Sequence, residues 1–267
     1  AKIAQPFIIA HRLFIPSAAL HIDLKAVMAR VKGVVEQVYQ AESPETLRAS
    51  GIDVYLGPTR FLDSHTIETG DDTLTGRRFL IATGARPSVP PISGIDDVDS
   101  LTYETLRDLE ELPRSFIVIG GGPIGCEMAQ AFCRLGSHVT LLEAGPRILP
   151  QDEPEASDLI ASCLITDGVD LRLGAMVQRV WQNGDTIHVG IEGRTLEGDA
   201  LLVVAGRRPA LEDLWLDKAG VVYGPHGIEV NTRLRTNRRH IYAAGDCLGG
   251  YQFTHYAAWQ GFMAVRN

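Results

Sequence analysis

Apolar residues in this chain recur first at helical and then at strand spacing. Over residues 22–39, Leu24, Val27, Met28, Val31, Val34, Val35 and Val38 fall at three- and four-residue steps, which predicts an amphipathic helix. Ser43 and Pro44 then start a short helix over 43–48, with Ser43 as N-cap and Pro44 at the first helical position. The next runs have strand character. Residues 52–56 and 60–62 predict strands flanking a turn, and 66–69 and 78–82 predict two more around the polar turn Gly70-Asp71-Asp72. Residues 86–91 (Arg-Pro-Ser-Val-Pro-Pro) form a stiff connector, suited to crossing between domains. From about 113 to 206 the pattern alternates: strand, glycine turn, helix and strand, then a helix over 154–167. Strands follow at 169–173, 177–181 and 186–191, and a buried strand over 200–205 ends at Gly206. In the last segment, 228–230 and 239–246 precede a turn that feeds a helix from Phe253 onward.

The most specific signal lies in the middle. The apolar run Phe116-Ile117-Val118-Ile119 leads directly into Gly120-Gly121-Gly122-Pro123-Ile124-Gly125, and Cys126-Glu127-Met128-Ala129-Gln130 continues at helical spacing. Strand, glycine turn and helix N-terminus in succession suit the pyrophosphate of a dinucleotide. Gly120 permits the tight turn, Gly122 admits close backbone approach, and Gly125 packs the helix on the strand, while unpaired helix N–H groups face the anion. The next apolar strand, 139–142, ends at Glu143, close to the distance of about 20 residues at which a carboxylate takes the ribose hydroxyls. Glu143 favours NAD over NADP because a 2′-phosphate would meet a like charge. Arg147, four residues on, softens that preference and keeps NADP possible.

Composition excludes several classes. With 267 residues, 45% hydrophobic and 22% charged, the chain has ample material for one large or two modest globular domains. A formal net charge of −8 with no basic run argues against nucleic acid as a partner. No apolar stretch is long enough to span a bilayer and residues 1–5 do not begin a signal peptide, so the expectation is no membrane association and a cytoplasmic location. The four cysteines, Cys126, Cys133, Cys163 and Cys247, form no C-x-x-C or C-x-x-x-x-C pair. Cys126 and Cys133 share one predicted helix about 10 Å apart along its axis, too far for a disulfide. All four read as small buried apolar residues, and no metal site is expected.

Four separated stretches, taken in order, resemble the flavin- and pyridine-nucleotide-dependent disulfide oxidoreductases. They are residues 82–87 (Ala-Thr-Gly-Ala-Arg-Pro), the glycine motif ending in Glu127, residues 205–209 (Ala-Gly-Arg-Arg-Pro) and residues 236–246. Within that family the spacing and Phe253-Thr254-His255 are most similar to mercuric reductases and dihydrolipoyl dehydrogenases. The resemblance implies an α/β protein of two Rossmann-like nucleotide-binding domains. Residues 1–90 and 213–267 would form a split, incomplete FAD domain, and 91–212 a complete NAD(P) domain.

The resemblance also assigns site residues. Thr83 and Gly84 match the loop beside FAD, Asp246 the carboxylate on a ribityl hydroxyl, and Thr59 the backbone contact at the adenine end. Thr254 and His255 match a helix start aimed at the flavin pyrimidine, although His255 reads equally as a capping histidine. On the nicotinamide side, Glu127 matches a glutamate beside the flavin and nicotinamide rings, and is the catalytic candidate. Its alternative is an ordinary helix-surface carboxylate. Val177 matches a residue lining the adenosine pocket and Gly206 a close backbone passage at the nicotinamide, whereas Arg207 and Arg208 read as solvated charges. Gly120 through Gly125, with Glu127, Glu143, Val177 and Gly206, make up the expected NAD set.

Three family features are missing: a first glycine motif for FAD, a C-x-x-x-x-C redox pair, and a C-terminal dimerisation domain with its histidine–glutamate pair. Residues 14–18 (Phe-Ile-Pro-Ser-Ala) resemble the tail of the redox motif without its cysteines. The chain is thus expected to be the middle of a longer enzyme, truncated at both ends. The intact protein, a homodimer, would move hydride from NAD(P)H to FAD and on to a disulfide, metal-ion or other small-molecule acceptor. The chain alone would be inactive and retain FAD weakly or not at all. The alternatives are a nucleotide-binding module without catalysis and a cysteine-independent flavin reductase serving a carrier protein.

Overall fold

The computed structural model describes residues 22–267, so the readings placed on residues 1–21, including 1–5 and 14–18, lie outside the described residues. The chain divides into two compact units: Pro87–Gly206 with the chain up to Val38, and Tyr39–Arg86 with Arg207–Asn267.

The first unit is built on a five-stranded parallel sheet, in the order Ser100–Leu101, Ala200–Val203, Ser115–Ile119, His138–Leu142, Asp170–Arg172. Parallel strands need crossovers, and the helices Pro123–Leu135 and Pro154–Asp167 supply two of them. The central strands read as unbroken apolar runs because both faces are covered. Phe116, Val118, Leu141 and Leu202 pack with Cys126, Ala129, Phe132 and Leu164 of the two helices and with Leu24 and Met28 of the helix Leu24–Ala41. Ile117, Ile119, Leu142, Leu201 and Val203 point the other way, into Val177, Val180, Ile187 and Val189. Those four belong to an antiparallel sheet of Val177–Asn183, Thr186–Ile191 and Arg194–Gly198. On its other face Trp181 stacks on His188, ring centroids 5.1 Å apart. Each fully buried aliphatic or Phe side chain is worth about 1.5–3 kcal/mol. The second crossover helix ends in Asp167, a charge unfavourable at the negative end of the helix dipole. Arg134 (Nη2, 2.7 Å; Nε, 2.9 Å) and Gln130 (2.8 Å) of the neighbouring helix offset it.

The second unit pairs Phe79–Ile81 in parallel with Ile241–Ala243. It adds the antiparallel meander Thr59–Phe61, Thr66–Thr69, Asp72–Thr75. A strand pair, Ala85–Pro87 with Arg207–Pro209, lies where the chain passes from one unit to the other. The core of the second unit gathers Phe61, Ile81, Leu211, Leu214, Leu216, Ile228, Ile241 and Cys247. The helix Pro44–Ala49 starts as predicted: the Ser43 hydroxyl accepts from Thr46 N at 3.2 Å, with Pro44 in the first turn. The helix Thr254–Arg266 closes the chain.

Two strand expectations fail. Residues 52–56 are irregular, with Ile52, Tyr55 and Leu56 at 51, 46 and 68% exposure. Ile52, Val54 and Leu56 alternate as one strand face would, but the segment has no ladder partner among the described residues, so that face stays largely exposed. The turn at Gly70-Asp71 joins Thr66–Thr69 to Asp72–Thr75, and Phe79–Ile81 pairs elsewhere. Asp72–Thr75 and Arg194–Gly198 escaped prediction because they are largely polar and exposed, held by hairpin pairing and not by an apolar face.

Candidate functional site

Ser115–Ile119 delivers the chain to Gly120 at φ +115°, a left-handed conformation in which a side chain would collide with the Val204 carbonyl. A Cβ on Gly125 would run into the Gly120 carbonyl oxygen, so glycine there lets the helix start directly against the turn. Gly122 is the N-cap of Pro123–Leu135, with no side-chain cap and, among the described residues, nothing within 4 Å of where its Cβ would lie. The first turn of a helix leaves N–H groups without intrahelical partners, and these sit at the positive end of the helix dipole.

Between these glycines, Gly121 is gripped on both sides. Its N–H donates to Glu143 Oε2 at 2.7 Å, and its carbonyl accepts from Leu149 N at 2.8 Å and from the Cys126 thiol at 3.4 Å. Glu143 Oε1 accepts from Gly145 N at 2.7 Å, so two amides orient the carboxylate at the end of its strand. In the first helical turn Pro123 is exposed and Ile124 half-buried, and Glu127 follows, exposed, at the start of the second turn. Burial, then the charges of Glu143 and Glu127, push the Cys126 thiol up to about 11, which makes it a packing residue and not a nucleophile.

The other expected NAD residues lie less openly. Val177 is a core side chain at 9% exposure, packed between the two sheets. Gly206 is exposed, and its carbonyl accepts from Ser88 N at 3.0 Å. A Cβ at Gly206 would make only ordinary contact, 3.7 Å from that of Ser88.

In the second unit, Asp246 sits in the turn Gly245–Leu248 and is paired with Arg207 Nη1 at 2.8 Å, the two side chains 13 and 27% exposed. This corrects the reading of Arg207 as a solvated charge, since it holds Asp246, whereas Arg208 is exposed in a surface pair with Glu212 and stays solvated. Thr59 Oγ1 donates to Thr69 Oγ1 at 2.9 Å. Thr83 is exposed, and Gly84, at φ +70°, accepts from Ala210 N at 3.0 Å. Thr254 and His255 are exposed in the first turn of a helix without a side-chain cap, and the His255 ring stacks on Phe253 at 5.6 Å. Sequence reasoning missed Gln260, a buried residue whose Oε1 accepts from Gly245 N at 2.8 Å and fixes the turn before Asp246.

The first unit therefore fits a dinucleotide, offering an open glycine cradle, uncapped helix N–H groups and an oriented carboxylate. The second fits only part of FAD. Asp246 and the start of Thr254–Arg266 are in place, but among the described residues of that unit no strand–glycine turn–α-helix exists for its pyrophosphate. Among the described residues no three His, Cys, Asp or Glu side chains group as metal ligands, and no helix is long and apolar enough to cross a membrane.

Comparison with known proteins agrees with this geometry. The family described as pyridine nucleotide-disulphide oxidoreductase matches residues 9–261. A mercuric reductase of Bacillus cereus is 37% identical over 98% of this chain and 42% of its own length. A dihydrolipoyl dehydrogenase of Bacillus subtilis is 34% identical over 95% of the chain and 56% of its own. Among solved structures, the Cu(II) complex of the HOCl-induced flavoprotein disulfide reductase RclA from Escherichia coli superposes with a TM-score of 0.85 at 33% identity, covering 91% of this chain and 56% of that one. The chain spans about half the length of the relatives it matches.

Proposed function

The chain belongs to the pyridine nucleotide-disulphide oxidoreductase family, and from that premise we propose that its first unit binds NAD(P)H within a longer oxidoreductase. The family uses FAD and NAD(P)H. The intact protein would pass electrons from the nicotinamide to FAD and on to a disulfide or to mercuric ion as substrate. Residues 91–212 are proposed as the NAD(P) domain, and the segments before and after it as parts of the FAD domain. The observation that carries the reading is the open cradle at Gly122 beside the oriented carboxylate of Glu143.

The chemistry of the bound nucleotide is hydride donation; the protein aligns and holds it. First-turn N–H groups after Gly122 take the pyrophosphate. Glu143 accepts from the adenosine ribose hydroxyls with the lone pairs its two amide contacts leave over. Glu127, exposed at the start of the second turn, would lie beside the nicotinamide and orient it. Asp246, steadied by Arg207, takes a flavin ribityl hydroxyl, with Thr59, Thr83, Gly84, Thr254 and His255 around the same cofactor. The partial flavin side favours a narrower role for the chain alone, nucleotide binding without turnover.

Calorimetric titration of NADH into the chain tests the reading. Glu143→Ala is expected to weaken binding by about tenfold, the loss of roughly 1.4 kcal/mol of hydrogen bonding to a charged group. Unchanged affinity removes Glu143 from the site, and a yellow flavin spectrum in purified material would contradict the narrower role.

A further inference from the structure

Arg147, four residues past the carboxylate, is the one cation of its loop, and sequence alone leaves it available to a 2′-phosphate. The structure ties it elsewhere. Its Nη1 donates to the Asp152 carbonyl and its Nη2 to the Pro150 carbonyl, both at 2.8 Å. The fork thereby closes the loop between Glu143 and the helix Pro154–Asp167 on itself. Within that loop Leu149 adopts φ +48° and donates to the Gly121 carbonyl at 2.8 Å. Ile148, fully buried, packs where a Cβ on Gly121 would stand, and its carbonyl accepts from the buried Ser157 hydroxyl at 2.7 Å. The glycine turn is thus held from behind by a loop that Arg147 folds. The neighbouring strand brings a second arginine near: the Arg172 carbonyl accepts from Glu143 N at 3.0 Å. Its guanidinium is engaged too, by Asp170 at 2.7 Å.

We propose that Arg147 is a positioning residue for the phosphate turn and that the same contacts set coenzyme choice. With Arg147 drawn back onto the Pro150 and Asp152 carbonyls, a 2′-phosphate meets the Glu143 carboxylate without a cation from this loop, and the site takes NADH over NADPH. This rests on the reading of the first unit as a nicotinamide-nucleotide site. Glu143 reads the sugar; Arg147 touches neither coenzyme and acts through Leu149 and Ile148 on Gly121.

Two measurements test it on the chain, with Arg147→Met, Arg147→Lys and Glu143→Ser. In calorimetric titrations the wild type should prefer NADH by at least about tenfold. Arg147→Met should weaken NADH and NADPH by a similar factor, about three- to tenfold, leaving their ratio unchanged. Arg147→Lys, which keeps charge but lacks the two-pronged fork, should fall between. Glu143→Ser should lose NADH affinity without turning the preference to NADPH. A selective loss of NADPH binding in Arg147→Met overturns the proposal, as does an NADPH preference in Glu143→Ser that Arg147→Met abolishes. Amide hydrogen exchange, read without coenzyme, should speed up at Gly121 and Leu149 in Arg147→Met; unchanged exchange refutes the positioning role. If the wild type binds neither coenzyme, the underlying reading fails and the selectivity half falls with it, while the exchange rates still decide the positioning half.

Discussion

The two units use parallel strand pairing to different depths. In the first, five strands pair around an interior that is sealed at its centre, where Phe116, Val118, Leu141, Leu201 and Leu202 are fully buried. In the second, the described parallel pairing is two strands of three residues each, where Ile241 is sealed but Leu80 is 41% exposed. The glycine turn belongs to the five-stranded sheet. A phosphate turn needs a strand to deliver it, a helix to receive it and a next strand to present the carboxylate, and the first unit has all three. In the second, Asp246 and the uncapped helix start at Thr254 are present without such a turn among the described residues.

Three substitutions or conditions sharpen the contrast, from the largest effect down. Gly125→Val should abolish NADH binding and destabilise the first unit by on the order of 4 kcal/mol, because the new side chain occupies the space of the Gly120 carbonyl. Calorimetry and circular dichroism read both losses; a folded, NADH-binding variant would mean the helix can start elsewhere. Ile241→Ala should cost the second unit about 3 kcal/mol through the cavity it leaves. NADH affinity should be unchanged, and a parallel fall in affinity would tie the cradle to the second unit.

The smallest effect is a pH dependence at Cys126, whose thiol is raised from 9.0 to about 11 in the fold. The unfolded chain releases that proton first, so the stabilisation is complete below pH 9 and declines as pH rises toward 11. Chemical denaturation across that window should be flatter for Cys126→Ala than for wild type. Against the expectation that all four cysteines are buried, Cys163 is exposed and Cys133 half-buried, so in the native protein at pH 8 iodoacetamide should label Cys163 and spare Cys126.

Long buried runs made the first unit readable. Residues 116–119 and 200–203 can only be interior strands, the helix over 154–167 matches its predicted limits, and the glycine spacing announces the turn. Polar strands were not readable, because Asp72–Thr75 and Arg194–Gly198 are defined by hydrogen-bond partners that leave no apolar period. The apolar cluster at 52–56 misled for the converse reason: Ile52, Val54 and Leu56 alternate, but alternation alone does not supply the neighbouring strand that a ladder needs. At the sites, Glu143 was legible from its distance to the glycines, but the duties of the arginines were not. Arg207 meets Asp246 across a long stretch of sequence, and Arg147 bonds backbone carbonyls, which every residue carries and no pattern marks.

The Trp181–His188 stack gives the first unit a reporter of its own. Trp215 and Trp259 both belong to the other unit, so with those two changed to Phe the remaining indole emission follows one unit alone. Its ring lies face to face with an imidazole. Opening of the antiparallel sheet separates the two rings, so a change in that emission reports on the first unit alone.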